Sequence, residues 1–297
     1  MEIDQLRSFV AVAQARSFTQ AAATVHLSQP AISRQIARLE RELGTRLFER
    51  YGRRVECTSD GRLLLPLAKI IVARVDDASQ LIREHVGTTS SKIRFGSTGT
   101  VFAHFLAPLL ASFMRSYPKV HLNLVEREDA LLEEAVHDGE IDCAVVTAWG
   151  SPRVASTHVL TEEILLLVPS GHRLATSGPL PLAALADEPL LLPGHSMNMN
   201  NLLTDYCRKA GFEPRVPYRA TYVELTKALV RQGLGIALLP RMFLPPEATD
   251  DLAALPLQDR PTRSLNLIYR HDHPISAATR ALMTHIKASD AGPANAS

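Results

Sequence analysis

The stretch Phe18–Glu42, FTQAAATVHLSQPAISRQIARLERE, constrains this chain more than any other. Ser17 and Gln20 have the S-x-x-Q spacing of a capping box, which opens a helix at Phe18. Ala21, Ala22 and Ala23 keep that helix narrow, so a neighbour can approach closely. A tight break follows at Val25-His26-Leu27, and Ser28 is the N-cap of a second helix. Pro30 is tolerated in its first turn, where an N–H would have no partner. Ile32, Ile36, Leu39 and Leu43 form an inner face, Gln29, Ser33, Arg34 and Arg38 project away from it, and Gly44 ends the helix. A helix that leads with short polar side chains and a guanidinium suits the DNA major groove. There Gln pairs bidentately with adenine and Arg with guanine.

The flanks fit a small domain built to aim that helix. Leu6, Phe9, Val10, Val12 and Ala13 give Ile3–Ala15 one apolar helical face. Leu47 and Phe48 tie down the chain after Gly44, and Tyr51–Thr58 reads as a β-wing turning at Gly52. The wing carries Arg50, Arg53 and Arg54, suited to phosphate contact. Net charge is only +1, but seven arginines (34, 38, 41, 46, 50, 53, 54) stand against four acids (40, 42, 49, 56) between His26 and Glu56. On charge alone a solvated helix face with i,i+4 pairs explains this patch equally well. From Ser59 to Val86 a long helix follows, with Leu64, Ala68, Ile71, Val75, Ala78 and Ile82 in an a/d seam and Pro66 bending its first turns. Packing on its own domain competes with dimerisation here, and the length of the seam favours dimerisation. Gly87–Ser91 reads as a flexible junction.

Length and composition exclude several classes. With 297 residues the chain holds two or three folding units. No apolar run spans a bilayer, and MEIDQLRSF is no signal peptide, which points to the cytoplasm and away from a membrane. Cys57, Cys143 and Cys207 are widely spaced and odd in number, so neither a disulfide framework nor a zinc site is expected. Cys143 and Cys207 read as small buried residues without a resolving partner for redox sensing. The motifs G-x-S-x-G, P-loop, H-E-x-x-H and C-x-x-C are absent, and Gly233-Leu234-Gly235 is too short for a dinucleotide site. No catalytic residue, metal or cofactor is expected. Glu126 with Glu128 is a carboxylate pair that a strand edge explains as well.

From Lys92 the pattern becomes α/β: strands at 92–96, 120–125, 141–146, 164–168, 190–192, 236–239 and 265–269 alternate with helices at 101–116, 129–137, 199–210, 222–231 and 275–287. Such alternation implies a parallel sheet. The tail from Ala291 is small, polar and expected to fray. Three helix starts could meet a small acidic molecule: Ser97-Thr98-Gly99-Thr100; His195, Ser196 and Asn198 in the turn from Gly194; and Thr221-Tyr222. Singly, each is more simply a plain N-cap. His195 could make binding pH-sensitive, or could be an ordinary loop histidine.

The run AAATVHLSQPAISRQIARLERELGTRLFER, with the basic wing and Thr58-Ser59-Asp60-Gly61 after it, resembles the N-terminal domain of LysR-type transcriptional regulators, and the later domain plan extends that resemblance over essentially the whole chain. The motif is long and ordered, hence far more specific than a generic helix-turn-helix. The resemblance implies that Gln29, Pro30, Ser33 and Arg34 approach DNA and that Arg53 lies near its backbone. It implies a winged helix-turn-helix over residues 1–58, a linker helix over 59–87 that pairs two chains antiparallel, and an effector domain over 88–297 similar to periplasmic solute-binding proteins. Subdomain I would take about 88–161 and 265–297, and subdomain II about 162–264, with crossovers near Leu160-Thr161 and Arg263–Leu265. The turn at Ser97–Thr100 would then contact the inducer, with Thr147 lining the cleft and Trp149, the only tryptophan, near its mouth or covering a core edge. Implied partners are double-stranded promoter DNA, a small-molecule effector, a second copy (homodimer, with homotetramers in the family) and RNA polymerase. The competing reading is an enzyme or solute-binding protein with an accessory DNA-binding or dimerisation head.

Overall fold

Capping and apolar periodicity build the helices of the first unit. The computed structural model describes residues 1–51, 54–85, 92–147, 153–193, 197–220, 222–244, 251–271 and 275–288. The chain divides into one unit of Met1–Ser90 with His137–Glu140 and another of Ser91–Val136 with Ile141–Ser297.

In the first unit, α1 (Ile3–Ala15), α2 (Phe18–Thr24) and α3 (Gln29–Leu43) precede a hairpin of β1 (Phe48–Tyr51) and β2 (Arg54–Cys57), and then α4 (Ser59–His85). The Gln20 N–H donates to Ser17 Oγ at 3.4 Å, opening α2, and the Ala31 N–H donates to Ser28 Oγ at 3.3 Å, opening α3. Between them His26 turns the chain at φ +54°, and Gly44 ends α3 at φ +72°. Phe48 packs against Phe9 and Phe18 with ring centroids 5.3 and 5.9 Å apart, over buried Ile32, Ile36 and Leu39. Leu43, expected on the inner face, is exposed, so the apolar stripe of α3 ends one turn before the helix does. Glu40 fixes the wing: its Oε1 accepts from the Leu47 and Phe48 N–H groups at 2.8 and 3.3 Å. A Cβ on Gly61 would lie 2.2 Å from the Leu47 carbonyl oxygen, so only glycine lets α4 start this close to the wing.

α4 continues as one helix through Pro66. The first half of its expected seam is used at home: Ala68 is buried, and Leu64 and Ile71 pack on the same core as Phe9. Arg7 reaches across from α1 to Asp76, with Nη1 at 3.1 Å from Oδ2. The apolar side chains left exposed on α4 include Leu63, Leu67 and Ile82.

The second unit is a two-lobed sheet. β3 (Lys92–Ser97) lies parallel between β4 (His121–Glu126) and β5 (Cys143–Thr147). In the other lobe β7 (Pro189–Pro193) lies parallel between β8 (Arg215–Ala220) and β9 (Ile236–Pro240). The strands joining the lobes are antiparallel, which corrects the all-parallel expectation. β6 (Ala155–Pro169) pairs β11 (Thr262–Tyr269) along Ala155–Glu163, then β9 along Ile164–Leu167 and β10 (Leu252–Leu255) along Leu166–Pro169. Helices cover the faces. A helical run formed by α5 (Gly99–Val101), a π-helical turn at Phe102–Leu106 and α6 (Ala107–Ser116) packs on the first lobe with α7 (Asp129–His137) and α10 (Ala277–Ala288). α8 (Met197–Lys209) and α9 (Val223–Arg231) pack on the second. One core gathers Ile93, Phe95, Phe113, Leu265, Leu282 and Ile286, and another gathers Ile164, Leu166, Leu190, Leu203 and Leu238.

Candidate DNA-reading helix and effector junction

The first turns of α3 present their polar groups outward. Ser28, Gln29, Pro30 and Arg34 are exposed and Ser33 is half-buried. Gln29 Nε2 donates to Ser33 Oγ at 3.2 Å, so these two groups are oriented together. Arg38 is exposed and pairs with Glu2 at 2.9 Å. Beside the helix a groove of about 540 Å³ is lined by Ser33, Ala37, Arg46, Phe48 and Glu49 among others. Arg50 and Arg54 lie on β1 and β2, one register step apart through the Arg50–Val55 and Tyr51–Arg54 pairs. Gly52 and Arg53 lie outside the described residues.

In the second unit Thr98, Thr100 and Tyr222 line one cavity of about 670 Å³, which brings together residues from both lobes. Thr98 holds the N-cap position of α5 with no side-chain cap hydrogen bond, so the plain-cap reading does not account for its hydroxyl. His104, Arg127, Glu126, Glu128 and Glu224 also line the cavity. An acidic molecule would therefore meet one guanidinium, at Arg127, among three carboxylates. Ser97, expected at this site, is fully buried, and its hydroxyl donates to the Val145 carbonyl at 2.8 Å, because β3 turns it into the sheet. His195, Ser196, Thr221 and Trp149 lie outside the described residues.

A buried polar chain links the two lobes. The Thr147 N–H donates to Asp129 Oδ1 at 3.3 Å, and Asn198 Nδ2 donates to the Thr147 carbonyl at 3.2 Å, linking α7, β5 and α8. Asp129 is only 2% exposed, and its Oδ2 has no hydrogen-bond partner among the described residues. Burial pushes its carboxyl up to about 6; the Thr147 N–H and Arg263 oppose the shift, and Glu133 and Glu128 add to it. Arg263, 4% exposed, is committed elsewhere. It pairs with Glu162 at 2.7 Å, and its guanidinium carbon lies 4.5 Å from the centre of the Phe243 ring. Glu162 Oε2 in turn accepts from the Met242 N–H at 2.8 Å. Sequence reading misses Asp129, because an acid at the first residue of a helix reads as a plain dipole partner.

Two cysteines are sealed in. Cys143 and Cys207 are fully buried, and burial raises both thiols, Cys207 to about 11 and Cys143 further. Cys57, in β2, is half-buried. Among the described residues no cluster of His, Cys, Asp and Glu could hold a metal ion.

A winged helix-turn-helix joined to a two-lobed binding domain defines a ligand-responsive DNA-binding regulator. The family described as bacterial regulatory helix-turn-helix proteins of the lysR family matches residues 3–62, and the LysR substrate binding domain matches residues 87–291; the chain belongs to the LysR family of transcriptional regulators. It is 31% identical over 291 residues to the DNA-binding transcriptional dual regulator OxyR of Escherichia coli (strain K12), covering 97% of this chain and 95% of that one. It is 32% identical over 290 residues to the HTH-type transcriptional regulator YwbI of Bacillus subtilis (strain 168), covering 97% and 96%. A full-length OxyR variant from Pseudomonas aeruginosa shares the fold with a TM-score of 0.78 at 23% identity, covering 97% and 95%. The protein is thus a LysR-type DNA-binding transcriptional regulator with an effector-binding domain. Among the described residues no helix is long and apolar enough to cross a membrane.

Proposed function

We propose that this regulator reads duplex DNA with Ser28, Gln29, Pro30, Ser33 and Arg34, and that Arg38, Arg50, Arg53 and Arg54 contact phosphates. The outward, mutually oriented Gln29–Ser33 pair on the leading turn of α3 carries this reading. The protein acts in the cytoplasm as a regulator rather than an enzyme, on promoter DNA and with RNA polymerase as a further partner. Two copies pair through α4, where Leu63 and Leu67 stand exposed one turn apart and Ile82 continues the apolar exposure. The homotetramer of the family is the larger assembly. A small effector binds at the cavity lined by Thr98, Thr100 and Tyr222, with Ser97, Thr147, His195, Ser196, Asn198 and Thr221 as the further effector-binding residues of this reading. By linkage, its binding free energy changes DNA affinity. Arg127 supports a carboxylate-bearing effector, and Glu126, Glu128 and Glu224 in the same lining oppose it.

In vitro selection from random duplexes tests the core of this reading. The expected result is a motif of two related half-sites, separated by about 10 bp or a multiple of it. Failure to enrich any motif would overturn it.

Relatives named as hydrogen peroxide-inducible genes activators raise a second reading, peroxide response. Peroxide chemistry at cysteine needs a thiolate, which the raised, buried thiols of Cys143 and Cys207 disfavour. DNA affinity that neither peroxide nor a subsequent reductant changes is the expected outcome.

A further inference from the structure

Resting on the effector reading above, we propose that the cavity takes an amphoteric effector, an amino acid, whose carboxylate pairs with Arg127 and whose ammonium pairs with Glu126. Glu126, Arg127 and Glu128 are consecutive, and all three are exposed and line the cavity. A ligand entering it therefore meets both signs of charge within one short connector. The backbone under these charges is pinned at both ends. Glu126 ends β4 in register with Ser97, and the Arg127 N–H donates to the Ser97 carbonyl at 3.3 Å. The Leu132 N–H donates to the Glu128 carbonyl at 2.9 Å as α7 begins.

The mixture of charges selects the class. A plain carboxylate would meet Arg127 but face the carboxylates around it, and a plain amine would leave the guanidinium unanswered. A guanidinium carries five N–H donors, so Arg127 can hold an effector carboxylate beside its other contacts. Of the carboxylates, Glu224 on the second lobe already pairs with Lys227 at 2.8 Å. Glu126 lies against Gly99, where an added Cβ would fall 2.2 Å from its Oε1. Its carboxylate thus stands between Thr98 and Thr100 in the lining. An ammonium has three donors, and those hydroxyl oxygens can accept what the carboxylate does not. In an open cavity each ion pair alone is weak. A molecule that makes both from one frame binds where a singly charged one barely does. The volume of about 670 Å³ suits a small molecule and leaves room for a side chain beside the two charged groups.

The test is thermal melting of the full-length protein at neutral pH and equal ionic strength. The probes are L-norvaline, pentanoate and butylammonium, the last two each lacking one of norvaline's charged groups. At about ten times its Kd norvaline should raise the Tm by roughly 3–6 °C, and each analogue at the same concentration by less than half as much. In Arg127→Gln the small pentanoate shift should vanish and the butylammonium shift remain; Glu126→Gln should do the reverse, and norvaline should lose most of its shift in both. An analogue that matches norvaline in the wild type overturns the amphoteric class. If that analogue is pentanoate and Arg127→Gln abolishes its shift, the cavity stands as an effector site for carboxylates. A norvaline shift that survives both substitutions overturns the assignment to these residues, and if it also survives Thr100→Val the cavity reading falls with it. If none of the three probes moves the Tm, the amino-acid class falls, and the cavity reading falls too only if uncharged and dicarboxylate fragments are equally silent.

Discussion

Two helix starts, those of α3 and α7, carry polar groups with opposite consequences. At α3 the groups are in water: Gln29 and Arg34 are exposed and Ser28 caps its own helix, so the surface is complete before DNA arrives. At α7 Asp129 is buried, and its Oδ2 has no hydrogen-bond partner among the described residues, so the ionised group carries a desolvation cost there. A polar group in water gives up hydration when it binds, whereas a buried one has given it up already on folding.

The contrast can be broken most severely by unfolding one side alone. Phe48→Ala removes the ring that Phe9 and Phe18 share and should cost about 3–5 kcal/mol. Calorimetry should show the DNA-binding unit melting earlier and the effector domain unmoved; a joint shift of both would show that the units do not melt separately. Arg263→Met leaves Glu162 buried without its cation and should cost a similar amount, roughly 3–5 kcal/mol, in the effector domain. Urea titration would measure it, and adding Glu162→Gln should restore much of the loss.

Asp129 sets a pH limb. Its folded value is raised from 3.8 to about 6, so the folded chain holds this proton more tightly than the unfolded chain. The favourable contribution is complete below about pH 4 and fades as pH rises through about 6; above that the ionised group costs about 3 kcal/mol. Asp129→Asn should flatten this limb in stability–pH curves, and an unchanged limb would contradict the buried-orphan account.

The exposed site should respond more gently. Arg34→Ala is expected to lose about 1–3 kcal/mol on a selected sequence and to blur preference at one base pair; an anisotropy titration with neither change removes Arg34 from direct readout. Smallest is Arg38→Ala. Its exposed pair with Glu2 is worth under about 1 kcal/mol of stability, while the salt slope of DNA binding should fall by about 1.

Local codes explain what can be read without coordinates. α3 is legible because a cap, an apolar stripe and a terminator each lie within a few residues, and α1 because its apolar face repeats with the helical period. β8 is not legible, because Pro217 and two arginines break the alternation of an edge strand. The first half of β6 is hidden because Glu162-Glu163 looks like loop until Arg263, a hundred residues later, supplies the charge that allows Glu162 to be buried. The α4 seam shows the limit of periodicity. An apolar stripe shows that a face is covered but not by what, and Ala68 is covered by its own unit. In the candidate site, exposed residues on α3 can be read directly. Ser97 is misplaced, and Asp129 passed over, because each takes its role from a partner 48 or 18 residues away.

β11 has a consequence for synthesis. The core around Ile93 and Phe95 is closed by Leu265, Leu282 and Ile286 near the other end of the chain. A ribosome therefore releases a DNA-binding unit able to fold after about ninety residues, while the first lobe waits through the making of the whole second lobe. Throughout that interval β5 presents an open edge where β11 will pair, the kind of edge that recruits strands from other chains. For this protein the hazard of aggregation is concentrated in elongation, and slowing translation between Ala155 and Thr262 would lengthen it.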